Sequence, residues 1–98
     1  LACDRVRLSE VSWVARSGAP AAGTKVLARL RNTAPALPAT IASVDGERVA
    51  VMLDAPQSGI STGQAAVLYD ASNPDRVLGG GWITDAPTAG AEAARLTQ

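Results

Sequence analysis

Six short apolar stretches divided by Gly- and Pro-bearing turns predict an all-β domain: a small antiparallel six-stranded β-barrel. Three observations carry that prediction. Thr24–Arg31 alternates with a strict period of two, which a half-buried strand requires and a helix does not allow. No stretch shows a helical period of convincing length. Gly79-Gly80-Gly81 lies inside an apolar run. Glycine weakens a strand, so three in a row are expected only where the sheet bends sharply, where another backbone comes close, or where a ligand does. Closed barrels of this size need such corners.

Along the chain, Leu1–Leu8 is read either as the tail of a preceding linker or as the start of the barrel. Glu10–Val14 alternates weakly, with Val11 and Trp13 on one side, and Trp13 is expected to anchor the entry to the core. Ser17–Gly23 is a loop. In Thr24–Arg31, Val26, Ala28 and Leu30 face inward while Lys25, Leu27, Arg29 and Arg31 face outward, giving a strand with a basic outer side. Asn32–Leu37 reads as a loop around Pro35. Ala39–Val44 and Glu47–Leu53 are strands joined by a tight turn at Asp45-Gly46. Val49, Val51 and Leu53 are expected inside, Arg48 and Met52 outside. Ala55–Gly59 ends that strand, and Ile60–Gly63 bridges to the last hairpin. Gln64–Tyr69 and Val77–Ile83 form this hairpin around Asp70-Ala71-Ser72-Asn73-Pro74-Asp75, which is almost wholly turn chemistry. Residues 1–84 are thus assigned to the barrel and residues 85–98, rich in Ala, Thr and Gly, to a flexible C-terminal tail.

The 98 residues suffice for one domain with a modest core. Residue 1 is Leu and the single methionine is Met52, so the chain is expected to be part of a longer protein. Asp4, Arg5 and Arg7 interrupt any signal-like run, and no apolar stretch approaches the roughly 20 residues needed to span a bilayer as a helix. The lone Cys3 leaves no internal disulfide and fits a reducing, cytoplasmic setting. Formal net charge is zero but unevenly spread. Residues 1–48 hold seven basic and four acidic groups, and residues 49–98 hold two and five. Eight of the nine basic residues are Arg, whose planar fork pairs bidentately with phosphate. An Ala- and Arg-rich chain is also what GC-rich coding yields.

Catalytic residues are not expected. Histidine is absent, which removes the commonest general base and metal ligand. A lone cysteine makes no cluster, and the acids fall mostly in turns and at strand ends. The Gly79-Gly80-Gly81 run lacks the pattern and the following helix of a phosphate loop. No metal and no cofactor are therefore expected in this chain.

The stretch G-Q-A-A-V-L-Y-D, a short turn, then R-V-L-G-G-G-W-I (Gly63–Ile83) resembles the C-terminal signature of the bacterial tRNA-specific 2-thiouridylases. Leu53-Asp54-Ala55-Pro56-Gln57, followed by Ile60-Ser61-Thr62-Gly63-Gln64, is similar to that family's aspartate-x-proline segment leading into a T-P-G-Q turn. Arg31 with Pro38-Ala39-Thr40-Ile41 resembles the stretch before it. Asn32 and Thr33 stand where the family carries a tyrosine and a second arginine. The resemblance runs from about Cys3 to Ile83 and marks Gly63, Gln64, Gly79, Gly80 and Gly81 as structural positions. It implies a barrel like those of translation factors. It also implies a parent enzyme that uses ATP to replace oxygen by sulfur at C2 of the wobble uridine, with the sulfur arriving on a donor protein. The ATP loop and the paired cysteines of that family belong to its N-terminal domain. This chain would then be a non-catalytic C-terminal module. Its partners would be tRNA, through Lys25, Arg29, Arg31 and Arg48, and the N-terminal and central domains of the same enzyme. The alternative is a structural brace for those domains with little RNA contact.

Overall fold

A computed structural model describes residues 2–14, 18–31 and 34–86. Within them the chain forms six strands: β1 (Ala2–Trp13), β2 (Lys25–Arg29), β3 (Leu37–Asp45), β4 (Arg48–Ser58), β5 (Ala65–Asp70) and β6 (Val77–Asp85). They close into a barrel in the order β1-β4-β3-β2-β5-β6, every pair antiparallel. β2, β3 and β4 follow one another around the wall, and β1 returns beside β4, a Greek-key arrangement that leaves no open edge. The flexible tail assigned to residues 85–98 lies outside the described residues from position 87 on; Asp85 itself ends β6.

The alternation read from sequence sets the interior. Val26, Ala28 and Leu30 are buried, as are Val49, Val51 and Leu53. Val6, Leu8, Ile41, Leu68 and Ile83 complete the centre of the core, each at most 1% exposed. Among the described residues no polar or charged side chain is buried, so the barrel interior is filled by hydrocarbon.

Four segments differ from their reading in the sequence. Leu1–Leu8 is not linker-like where described: Ala2–Trp13 is one strand, and Cys3, Val6 and Leu8 belong to the core. β3 begins at Leu37 and takes in Pro38, and β4 continues through Pro56 to Ser58. Both prolines are tolerated for the same reason. Pro38 stays opposite Leu27 of β2 but lies beyond the last β3–β4 pair, Ala39↔Leu53, so no ladder bond is due on its β4 side. Pro56 lies where β4 bulges between its β1 pairs Arg5↔Met52 and Cys3↔Gln57. A missing N–H costs nothing where no ladder bond is due. In the β3–β4 hairpin Asp45 pairs with Arg48, so the two turn residues are Gly46 and Glu47, one position later than read. Gly46 supplies the positive φ, 60°, that such a two-residue turn needs.

The irregularities gather on one side of the barrel. The β2–β3 and β2–β5 ladders are regular. The ladders of β1 with β4 and β6 and those of β3–β4 and β5–β6 all carry register shifts. The sharpest is in β1 between Ser9 and Ser12, opposite Trp82 and Gly80. There Glu10 takes φ 53°, unusual for a residue with a side chain, and the Val11 N–H turns to the Glu47 carbonyl at 2.9 Å. This is a β-bulge that coils β1 from one neighbour to the next.

Candidate nucleic-acid interface

The glycine triplet fixes the seam where β6 meets β1 and β5. None of the three has a positive φ, so crowding and not dihedral freedom selects glycine here. A Cβ on Gly80 would stand 2.8 Å from the Ala66 carbonyl oxygen. One on Gly81 would stand 2.6 Å from that of Ser9 and 2.7 Å from Val11 Cγ2, and one on Gly79 would collide with the Ser12 carbonyl. The triplet therefore faces acceptor oxygens, the opposite of the N–H lining an anion cradle requires. Gly63 has a different reason: its φ of 85° turns the chain into β5, while its N–H donates to Ile83 O at 2.8 Å. The Gln64 carbonyl accepts from Ile83 N–H at 2.9 Å, closing the foot of the hairpin.

At the tip of that hairpin the Asp70 carboxylate accepts the Ser72 hydroxyl at 2.7 Å and the Ser72 N–H at 2.9 Å. Arg76 lies 3.6 Å from its other oxygen. These contacts, the Ser72 hydroxyl first, hold the Asp70 carboxyl below the ordinary carboxylate range.

The four cations singled out in the sequence all point outward but do not form one patch. Lys25 donates to Thr40 Oγ1 at 2.9 Å and lies 3.8 Å from Asp54. The Arg29 guanidinium sits over the Tyr69 ring, 5.5 Å from its centroid. Arg31 donates to the Ser58 carbonyl and covers Gly59. Arg48 stands at the far end of β3, paired with Asp45 in the ladder, whereas Arg29 and Arg31 lie beyond the Leu37 end. β3 spans nine residues, so roughly 25–30 Å of strand separates them. Arg48 instead lines a groove of about 480 Å³ across the outer side of β3, β4, β1 and β6, together with Arg7, Ser9, Ser43, Asp45 and Thr84. Arg7 in that groove is paired with Asp85 at 2.7 Å.

The opposite wall has another chemistry. The ladders align Leu27–Tyr69–Val77, then Arg29–Val67–Gly80, then Ala65–Trp82, as three outward rows across β2, β5 and β6. Two of the three aromatic residues lie there, and Trp82 is 49% exposed. Arg29 is the sole charge in the three rows. Sequence reasoning passed over Trp82 and Tyr69; the signal was present, because an inward Ile83 and Leu68 force their neighbours Trp82 and Tyr69 outward.

Cys3 is buried, and burial followed by the nearby Asp4 carboxylate pushes its thiol up, the direction of an inert cysteine. No group of three or more His, Cys, Asp or Glu that could hold a metal occurs among the described residues. No helix among them is long and apolar enough to cross a membrane.

Residues 3–83 match the family model of the aminomethyltransferase beta-barrel domain. The chain is similar to the tRNA-specific 2-thiouridylase MnmA of Maricaulis maris, 42% identical over 84 residues, which is 86% of this chain and 20% of that protein. It is 47% identical over 94 residues to the MnmA of Rhodospirillum centenum, covering 95% of this chain and 22% of that protein. To the MnmA of Caulobacter vibrioides it is 46% identical over 80 residues, 78% of this chain and 21% of that protein. The chain thus spans about a fifth of the length of these curated relatives.

Proposed function

This chain belongs to the aminomethyltransferase β-barrel domain family, and on that footing we propose that it is the non-catalytic C-terminal module of a tRNA 2-thiouridylase and helps to position the tRNA. In this reading the parent enzyme, in the cytoplasm, replaces oxygen by sulfur at C2 of the wobble uridine. ATP and the sulfur donor protein engage the domains outside this chain. Two observations among the described residues support placing ATP outside this chain: the glycine run meets carbonyl oxygens, and the interior is filled by hydrocarbon. No step of the reaction is assigned to it.

The observation that carries the positioning role is the β2–β5–β6 wall, where Arg29 stands without a carboxylate in the three rows. A cation there can meet a phosphate without competing with an internal acid, and such contacts orient a nucleic acid without reading its sequence. The scatter of the four cations favours the second reading, a structural brace: Lys25 is engaged by Asp54 and Arg31 by Ser58. Salt dependence separates the two. In the parent enzyme, Arg29→Ala with Arg31→Ala is expected to weaken tRNA binding and to flatten the slope of log K against log salt by about one to two units. An unchanged slope establishes the brace instead.

A further inference from the structure

We propose that the outer face of β2–β5–β6 is a stacking platform for an unpaired nucleobase, with Trp82 of β6 as the ring on which the base lies and Arg29, across β5 and one row along, as the cation for the attached phosphate. The inference rests on the tRNA-positioning reading and adds to it the place and the kind of contact.

Four features of the face point to a nucleotide. First, Trp82 in the wall of a closed barrel is 49% exposed, so among the described residues about half of its surface is left open. Second, its cross-strand neighbours are Ala65 on β5 and Ser9 on β1, both small, so the two side chains directly opposite it are short beside the indole. Gly80, two residues away on the same face, adds no side chain at all, and the Ala66 carbonyl keeps that position glycine. Third, the charge is complementary. The three rows hold one cation and no carboxylate, which suits a ligand that is an aromatic plane tethered to phosphate. Fourth, Arg29 lies over the Tyr69 ring, 5.5 Å from its centroid, which holds an always-charged, phosphate-pairing group on this same face. Aromatic rings and an Arg on the outside of a sheet are how single-stranded nucleic acids are gripped without sequence readout. The face is too small for a stable second copy: three short rows fall well below the 20–30 residues a side that such interfaces use.

The test uses the 98-residue chain, a 12-nucleotide oligouridylate, a blunt RNA duplex of the same length and an unmodified tRNA transcript. Tryptophan emission is read during titration. The oligouridylate and the tRNA are expected to quench saturably, and the duplex is not. Trp13→Phe is expected to keep the quench and Trp82→Leu to abolish it. Affinity of Trp82→Leu for oligouridylate should fall roughly 5- to 150-fold, the range of one lost base–aromatic stack, and Trp82→Phe should restore most of it. Because Trp82 is outside the core, melting curves of all three variants serve as the folding control.

Wild-type affinity in Trp82→Leu overturns the platform. If tRNA binding then keeps its salt slope and loses it on Arg29→Ala, the positioning reading stands and the stacking alone falls. Absence of any RNA binding, with no salt dependence, overturns both. Protection of Trp82 from acrylamide in the RNA-free parent enzyme, where the free chain shows none, means that a neighbouring domain covers the face and also overturns the platform.

Discussion

The two outer walls of this barrel are built from the same strand geometry and end with opposite surfaces. Around β1, β3 and β4 the ladders are broken by bulges, and the outward charges are engaged: Arg7 of β1 with Asp85 at the end of β6, and Asp54 of β4 with Lys25, which reaches over from the start of β2. Across β2 and β5 the ladder is regular, and the outward residues that it pairs are apolar or aromatic except for Arg29. Those charges of the bulged wall already have partners. The other wall leaves a ring and a guanidinium available, and an RNA-facing role is accordingly assigned to it.

The largest expected effect comes from breaking the seam on which both walls depend. Gly81→Val drives a branched side chain into the Ser9 carbonyl and Val11, and overpacking of this kind costs about 1–3 kcal/mol. The melting temperature should drop accordingly; an unchanged value would show that β6 is not clamped between its neighbours.

Next come the two walls compared directly. Arg29→Ala removes a cation from an aromatic face and should cost about 0.5–1 kcal/mol in urea unfolding. Asp54→Ala, on β4, removes an exposed ion pair with Lys25 and should cost no more than about 0.5 kcal/mol, vanishing in 1 M salt where screening is nearly complete. Equal costs with equal salt sensitivity would erase the distinction between the walls.

The smallest effect is at the hairpin tip. The Asp70 carboxyl is held below its ordinary value, so its contribution to loop order is fully present above the ordinary carboxylate range. That contribution is lost as pH falls through the lowered native value. The Ser72 amide resonance, followed by NMR during acid titration, should move only below the ordinary carboxylate range. Movement within that range would show that the Ser72 contacts do not hold the carboxylate in solution.

Where period two was unbroken, the fold was legible. Val26, Ala28 and Leu30, and Val49, Val51 and Leu53, could be placed inside from spacing alone. β1 was not legible in its first half because its inward residues do not keep the period: Cys3 and Val6 are three apart, as are Leu8 and Val11 across the Glu10 bulge. A bulge is a tertiary device that adds a residue without changing composition. The long end of β4 was hidden for a related reason, since Pro56 ends a strand in isolation but not where a bulge leaves its N–H without a partner. At the site, alternation fixed that Arg29 and Arg48 point outward. It could not place them at opposite ends of β3, because register between strands is set by turns and bulges and not by the pattern within either strand.

The central claim, that RNA meets the β2–β5–β6 wall and not the charged groove of β1, β3 and β4, is tested most directly by photo-crosslinking. A tRNA transcript carrying 4-thiouridine is bound to the parent enzyme, irradiated, and the crosslinked peptides within this chain are mapped by mass spectrometry. The account predicts adducts on the peptides of β5 and β6 that hold Tyr69 and Trp82. Adducts concentrated on Arg7, Ser43 or Arg48 of the groove, with β5 and β6 clean, would contradict it.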